Sequence, residues 1–269
     1  MPPRPHLRNA IIAGQSSRSP KVPVLEVEHA ECSLIGAREE NQDRVAVTVE
    51  SEVALIAVFD GMGGHADGAR AAELARCILL ARFAAQVHPL PDPLAFLHIT
   101  LGAAHAEMVA LGLHMPLEHR PRATGAVCLV QDGTAWWAHV GDSRIYHLRA
   151  GRVIRRTRDH SHVELLVQEG LISSQQAQNH PMRNYVETCL GGDPLLPEMQ
   201  IGRCIRVQSG DALLVCSDGF WANLLDEDIA ASLYSGAPLK AALQSLAEFS
   251  VKRGGPGADN SSVAALRVR

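Results

Sequence analysis

Val53–Ala72, VALIAVFDGMGGHADGARAA, is the stretch whose reading decides the fold. Its first seven residues are all apolar, a run too short for a helix and rich enough in Val and Ile for a strand covered on both faces. That strand delivers Asp60 to its end. Gly61, Gly63 and Gly64 then free the backbone to turn and let a ligand approach it closely, and helical spacing resumes at Ala66. One strand end thus gathers an acid, bare backbone and His65. An Asp-Gly pair alone marks no more than a turn, so its meaning depends on what the rest of the chain brings beside it.

Upstream, Ser33–Asp43, SLIGAREENQD, links a strand beginning near Val24 to a second strand, Val45–Val49, and holds Arg38, Asn41, Gln42 and Asp43. Downstream, the first helix continues through Leu74, Ile78 and Ala81 and ends before His88-Pro89. A second helix has Asp92 as N-cap, Pro93 in its first position, and Leu94, Leu97, Leu101, Ala104 and Met108 along one face. Leu111–Arg122 reads as a loop. Asp132-Gly133 between GAVCLVQ and TAWWAHV predicts a hairpin, and a second hairpin turns at Ala150-Gly151. The segment Thr157–Pro197 breaks the strand pattern with two short helices, Ser161–Glu169 and Ser173–Asn179, the latter opening on a capping box of Ser173 and Gln176. Strands resume at Met199–Val207 and Ala212–Cys216, the second ending in Ser217-Asp218-Gly219. Helices near Asp226–Tyr234 and from Pro238 follow, then a flexible connector, Gly254–Ala258, and the final strand SSVAALRV after Asp259-Asn260. Strand runs interrupted by paired helices, without steady βαβ alternation, predict a single α+β domain over residues 24–269 with mainly antiparallel sheets.

The 269 residues, 46% apolar, can build a sizeable core, and a net charge of -4 speaks against nucleic acid or an anionic membrane as partner. The six cysteines are scattered without a C-x-x-C pair, as expected of reduced thiols in a cytoplasmic protein. No apolar run in the sequence approaches a membrane span and no secretory signal is evident, so no membrane insertion is expected. Residues 1–23, rich in Pro and Arg and free of acids, read as a mobile basic tail.

Asp60 and Asp218 each end an apolar strand and precede glycine, while Asp259 precedes one. Strand ends of antiparallel neighbours lie side by side, so the three can share one sheet edge. Asp43 and Asp142 occupy similar positions. Converging carboxylates repel one another unless a cation neutralises them, and an all-oxygen set favours Mg²⁺ or Mn²⁺ over zinc.

Eight strings carry a family resemblance in order: GAREENQD, FDGMGGHADG, ATGAV, VGDSRIY, RDHSHVELLVQEG, HPMRNYVETCLGG, CSDGF and DNSSV. They resemble the bacterial metal-dependent serine/threonine protein phosphatases of the 2C type. The resemblance implies a four-layer αββα sandwich and two Mn²⁺ or Mg²⁺ ions, bridged by Asp60, with the Gly61 carbonyl, Asp218 and Asp259 as further ligands and Asp43 acting through water. It also implies a metal-bridging hydroxide as nucleophile, Arg38 as the phosphate-binding group, His65 as general acid to the leaving serine or threonine oxygen, and Asp142 with Asp218 at a third metal. Ala222 stands where an aspartate often completes that third site, so it is expected to be weak or absent, and Gln42 replaces a frequent glutamate. The segment 157–197 becomes a flap that shapes substrate choice. Implied partners of the monomer are phosphorylated proteins and a serine/threonine kinase whose action it opposes. SDGFW and HPMRNYVETCLGG further resemble phosphatases of type VI secretion, which implies a forkhead-associated scaffold as substrate. Two other functions fit the same fold: a pseudophosphatase that only binds, and a dedicated phosphatase of an anti-sigma antagonist.

Overall fold

The structure, a computed structural model, describes residues 26–62 and 66–269. The basic tail and His65 lie outside the described residues. In chain order the strands are β1 (Val27–Leu34), β2 (Asp43–Val49), β3 (Val53–Met62), β4 (Arg122–Ala123), β5 (Gly125–Gln131), β6 (Thr134–Val140), β7 (Arg144–Arg149), β8 (Arg152–Arg156), β9 (Leu190–Gly191), β10 (Gln200–Arg206), β11 (Ala212–Cys216) and β12 (Ser261–Val268). The helices are α1 (Ala66–Ala84), α2 (Pro93–Leu111), α3 (His162–Gln168), α4 (Ser174–Gln178), α5 (Asp218–Trp221), α6 (Asp226–Leu233) and α7 (Leu239–Gly254).

The strands form two antiparallel sheets. One runs β1-β12-β11-β7-β8, and the other runs β10-β6-β5-β3-β4-β9 with β2 paired to β3. Period-two alternation divides each central strand between two cores. In β3, Leu55, Ala57 and Phe59 face α1 and α2, whereas Ala54, Ile56 and Val58 meet Leu213, Val215, Ala264 and Leu266 of the opposite sheet. In β11, Leu214 and Cys216 turn outward onto Leu233, Leu243 and Ala247 of α6 and α7. Three apolar layers thus separate helices, sheet, sheet and helices, the expected αββα sandwich. A strand buried on both faces must be apolar at every position, which is why VALIAVF shows no alternation of its own.

Local signals act as expected at several points. Asp92 caps α2 by accepting from the Ala95 N–H at 3.0 Å, and Ser173 and Gln176 exchange both capping-box bonds at the start of α4. Four details differ from the sequence expectation. Asp43 opens β2 instead of ending the preceding link, since it pairs with Asp60. β3 runs two residues past Asp60, because Gly61 and Met62 pair with the two-residue β4. Gly254–Ala258 is no flexible connector: α7 runs through Gly254 and a 3₁₀ turn, Gly255–Gly257, follows. Finally, α2 is a 19-residue helix containing an 18-residue window of mean hydropathy 1.5, long and apolar enough to cross a membrane by those measures. One face of it packs into the core, with Leu97, Leu101, Ala104 and Met108 buried in the layer it shares with α1 and β3.

Candidate active site

Asp43 stands directly opposite Asp60 in the β2–β3 ladder. At the same end of the sandwich, Ser217 and Asp218 follow β11, and Asp259 and Asn260 precede its neighbour β12. The acids therefore share one end of two facing sheets, where a single sheet edge was expected: Asp43 and Asp60 come from the neighbours β2 and β3 of one sheet, Asp218 and Asp259 from the neighbours β11 and β12 of the other. They line a cleft of about 570 Å³ with Arg38, Gly61 and Asp142, and Asn184 and Val186 bring the 157–197 excursion to its rim. Asp43 is buried beneath.

Two glycines permit this crowding. A Cβ on Gly61 would strike the backbone of Gly68 in the first turn of α1, and a Cβ on Gly219 would strike the Asn260 carbonyl. The Asp-Gly pairs at both places thus bring backbone segments closer than any other residue allows.

Neighbouring groups hold the acids in place. Ser217 Oγ donates to Asp43 Oδ2 at 2.8 Å and accepts from the Ser262 N–H at 3.1 Å. Thr124 brackets Asp60: its N–H donates to the Asp60 carbonyl at 2.8 Å, and its Oγ1 accepts from the Asp60 N–H at 3.2 Å. Asn260 pins the Arg38-bearing loop, accepting from the Gln42 N–H at 2.8 Å and donating to the carbonyls of Ile35 and Glu40 at 2.8 and 3.0 Å. None of these contacts has a periodic or local signature. Ser217, Thr124 and Asn260 do lie within the strings CSDGF, ATGAV and DNSSV, the one sequence signal that pointed near them.

The electrostatics of the cleft are strained. Burial, reinforced by the charges of Asp218 and Asp259, pushes Asp43 up to about 7 despite its serine bonds. Burial and four neighbouring aspartates, Asp43 foremost, raise Asp60 well above the carboxylate range. Asp142 is raised by burial and by Asp218 and Asp159, and Asp218 goes up to about 6 through burial and Asp259. Arg38, exposed over more than half its side chain, places Nη2 2.6 Å from Asp259 Oδ2. The residue expected to hold phosphate therefore forms an ion pair at the lip of the cleft.

Four other histidines are engaged elsewhere in the fold. His105 Nδ1 accepts from the Gly191 N–H at 3.1 Å, His139 and His160 stack at 4.6 Å, and His162 pairs with Glu187 at 2.9 Å.

The donor set fits a hard divalent cation. Among the described residues Asp43 Oδ1 has no hydrogen-bond partner although it is buried, and the carboxylates around it are raised by one another's charge. Among the described residues, no three His, Cys, Asp or Glu side chains close around one point as a ready cage. Mg²⁺-like ions do not need such a cage: they retain several waters and are held by one or two carboxylates each. The mutual repulsion of the acids is thus the better guide to what the cleft binds.

A two-sheet sandwich with an acidic, cation-fitting mouth is the layout of a metal-dependent phosphatase domain. The chain belongs to the protein phosphatase 2C family, whose model, Protein phosphatase 2C, matches residues 33–258. It is 31% identical over 236 residues to serine/threonine protein phosphatase PstP of Mycobacterium tuberculosis, a match covering 86% of this chain and 43% of that protein. The chain thus spans less than half the length of this relative. It is also 31% identical over 237 residues to protein phosphatase PhpP of Streptococcus pneumoniae, covering 86% of this chain and 93% of that one. The solved catalytic domain of PstP in complex with two manganese ions superposes with a TM-score of 0.74 at 29% identity, covering 90% of this chain and 98% of that one. PppA, described as a key regulatory component of T6SS in Pseudomonas aeruginosa, superposes with a TM-score of 0.77 at 28% identity, covering 91% and 99%.

Proposed function

We propose that the chain hydrolyses phosphoserine and phosphothreonine in proteins, with two Mn²⁺ or Mg²⁺ ions held at the mouth of the sandwich. The observation that carries this is the set of buried, mutually repelling aspartates at one end of two sheets; family membership and the two manganese ions of the PstP structure support it. Two such ions, when bound, offset the acid charge, activate water and clamp phosphoryl oxygens for in-line displacement.

The chain's own groups divide the remaining work. Asp60, Asp218, Asp259 and the Gly61 carbonyl hold the ions, and Asp43 acts from beneath through water. Arg38 exchanges its pairing with Asp259 for the phosphate, whose oxygens its fork can hold two at a time. His65 is assigned as general acid to the leaving oxygen, a role worth about 10² to 10⁴ in rate. Asp142 faces Asp218 across a cleft wall with Ala222 nearby, so a third ion binds weakly or not at all. The 157–197 flap, with Asn184 and Val186 at the rim, governs which phosphoproteins enter.

The retained acids argue against a pseudophosphatase. The likeness to PppA supports a role in type VI secretion; a cytoplasmic location, a partner kinase and a forkhead-associated scaffold as substrate rest on the sequence resemblance alone. Hydrolysis of a phosphothreonine peptide with Mn²⁺ present tests the reading. Wild type turns over and Asp60→Ala does not; a wild type without turnover, or an Asp60→Ala variant that retains it, rejects the proposal.

A further inference from the structure

Arg144, Trp221 and Asp159 make a chain of contacts that the proposed hydrolysis leaves unused. Trp221 closes α5 three residues after Asp218, and its indole Nε1 donates to the backbone carbonyl of Asp142 at 3.0 Å. The Arg144 guanidinium lies over the same indole, its carbon 3.2 Å from the ring centroid. Asp159 receives that guanidinium as a fork, Nε to Oδ1 at 2.8 Å and Nη2 to Oδ2 at 2.7 Å, and Nη1 donates to the Tyr146 hydroxyl at 3.3 Å. The two charged side chains are only 11% and 7% exposed, so this is a desolvated pair whose value depends on its geometry.

Asp159 stands at the root of the 157–197 excursion. Its neighbour His160 donates its N–H to the Gly141 carbonyl at 2.9 Å, and the Gly141 N–H returns a bond to His160 Nδ1 at 3.3 Å. The backbone just before Asp142 is therefore tied to the root of the excursion, the Arg144 side chain two residues after it reaches Asp159 at the same root, and the Asp142 carbonyl is tied to the helix that begins at Asp218. These two acids repel each other. The bond from the indole, on the helix that begins at Asp218, to the Asp142 carbonyl joins the two backbone segments that carry them.

We propose that Trp221 and Arg144 are positioning residues: the indole fixes Asp142 against Asp218, and the Arg144–Asp159 fork couples that pair to the root of the excursion. Metal affinity at the acids and opening of the excursion then respond together. The inference rests on the metal-dependent reading of the site. Neither residue needs to touch the phosphate. Groups that orient ligands in this way typically change metal affinity by about 10- to 100-fold when altered.

Trp221→Phe keeps a ring beneath the guanidinium and removes the N–H donor. Arg144→Lys keeps the charge and loses both fork and stack, and Asp159→Asn weakens the fork without touching the indole. Each variant is titrated with Mn²⁺ by calorimetry, and deuterium uptake across residues 157–162 is followed in the metal-free protein, with a melting curve to confirm folding. The expected results are, in Trp221→Phe, Mn²⁺ binding about tenfold weaker at the ion that Asp218 holds, the residue at which the helix of Trp221 begins, and faster exchange together with weaker Mn²⁺ binding in Arg144→Lys and Asp159→Asn. Wild-type Mn²⁺ affinity in folded Trp221→Phe, or in folded Asp159→Asn should Trp221→Phe not fold, overturns the inference; a melting temperature lowered with affinity unchanged marks a merely structural contact. A wild type that binds no Mn²⁺ overturns the reading of the site itself, so the two failures are told apart.

Discussion

Asp211 and Asp218 flank the same strand, β11, and burial acts on both, yet their carboxyls move in opposite directions. Asp211 has no exposed surface, and burial alone would raise it. Arg149 donates to it twice, at 2.7 and 2.8 Å, and His147 and the Gln208 N–H each lie at 2.9 Å, so it ends below the ordinary carboxylate range. Asp218 faces Asp60, Asp142 and Asp259 and rises to about 6. At one end of the strand the chain compensates its own buried acid, and at the other it assembles acids whose repulsion a proton or, on the proposed function, a bound cation relieves. The first arrangement contributes to stability, whereas the second is held at a cost in stability and retained for binding.

The largest expected effects separate the two ends. Asp218→Asn lowers Mn²⁺-dependent hydrolysis of a phosphothreonine peptide by at least about 10³-fold, since it removes a ligand from charge stabilisation worth several kcal/mol. The same change raises the melting temperature of the chelator-treated protein at pH 8, because one repelling charge is gone. Asp211→Ala does the reverse: it costs about 3 kcal/mol in denaturant unfolding by stranding its buried partners, while the folded fraction keeps near wild-type kcat. An Asp211→Ala variant that melts like wild type removes the contrast.

The pH dependence of the metal-free protein distinguishes the ends next. Asp43 and Asp218 keep protons in the fold up to about 7 and about 6, against 3.8 for an unperturbed aspartate. The folded state therefore binds more protons than the unfolded chain between pH 4 and 7, and stability falls as pH rises through that window. Asp211 has the opposite sign: its stabilisation is present above the ordinary pKa and is lost as pH falls through its lowered value. Denaturant midpoints at pH 5 and pH 8 check this, with Mn²⁺ expected to remove the decline by replacing the protons.

The smallest effect expected is at Ala222. Supplying a carboxylate there, Ala222→Asp, strengthens a third Mn²⁺ in a calorimetric titration without changing the first two. Tight third-site binding in wild type that depends on Asp142 would show that the alanine does not weaken the site.

Much of this was legible in the sequence because strand burial and turn chemistry are local. The apolar run before Asp60, the caps at Asp92 and Ser173 and the final strand SSVAALRV need only neighbouring residues to be read. Which sheet each acid comes from is not local. Arg38 and Asp259 pair across 221 positions, Ser217 reaches Asp43 across 174, and Asp60 turns out to face β11 and β12 from the opposite sheet. Short elements also escaped notice: β4 and β9 have two residues each and α5 has four, too few to show any period. In the sequence Trp221 stands out only as the end of the string SDGFW; nothing local shows that its indole reaches the Asp142 carbonyl 79 positions away.

The account stands most directly on the metal content of the acidic end. Calorimetric titration of Mn²⁺ into chelator-treated wild type at pH 7.5, with Asp218→Asn beside it, should show two ions binding to wild type with release of protons. Asp218→Asn should lose at least one of them. Binding of no Mn²⁺ by folded wild type, or of two ions equally by Asp218→Asn, would contradict it.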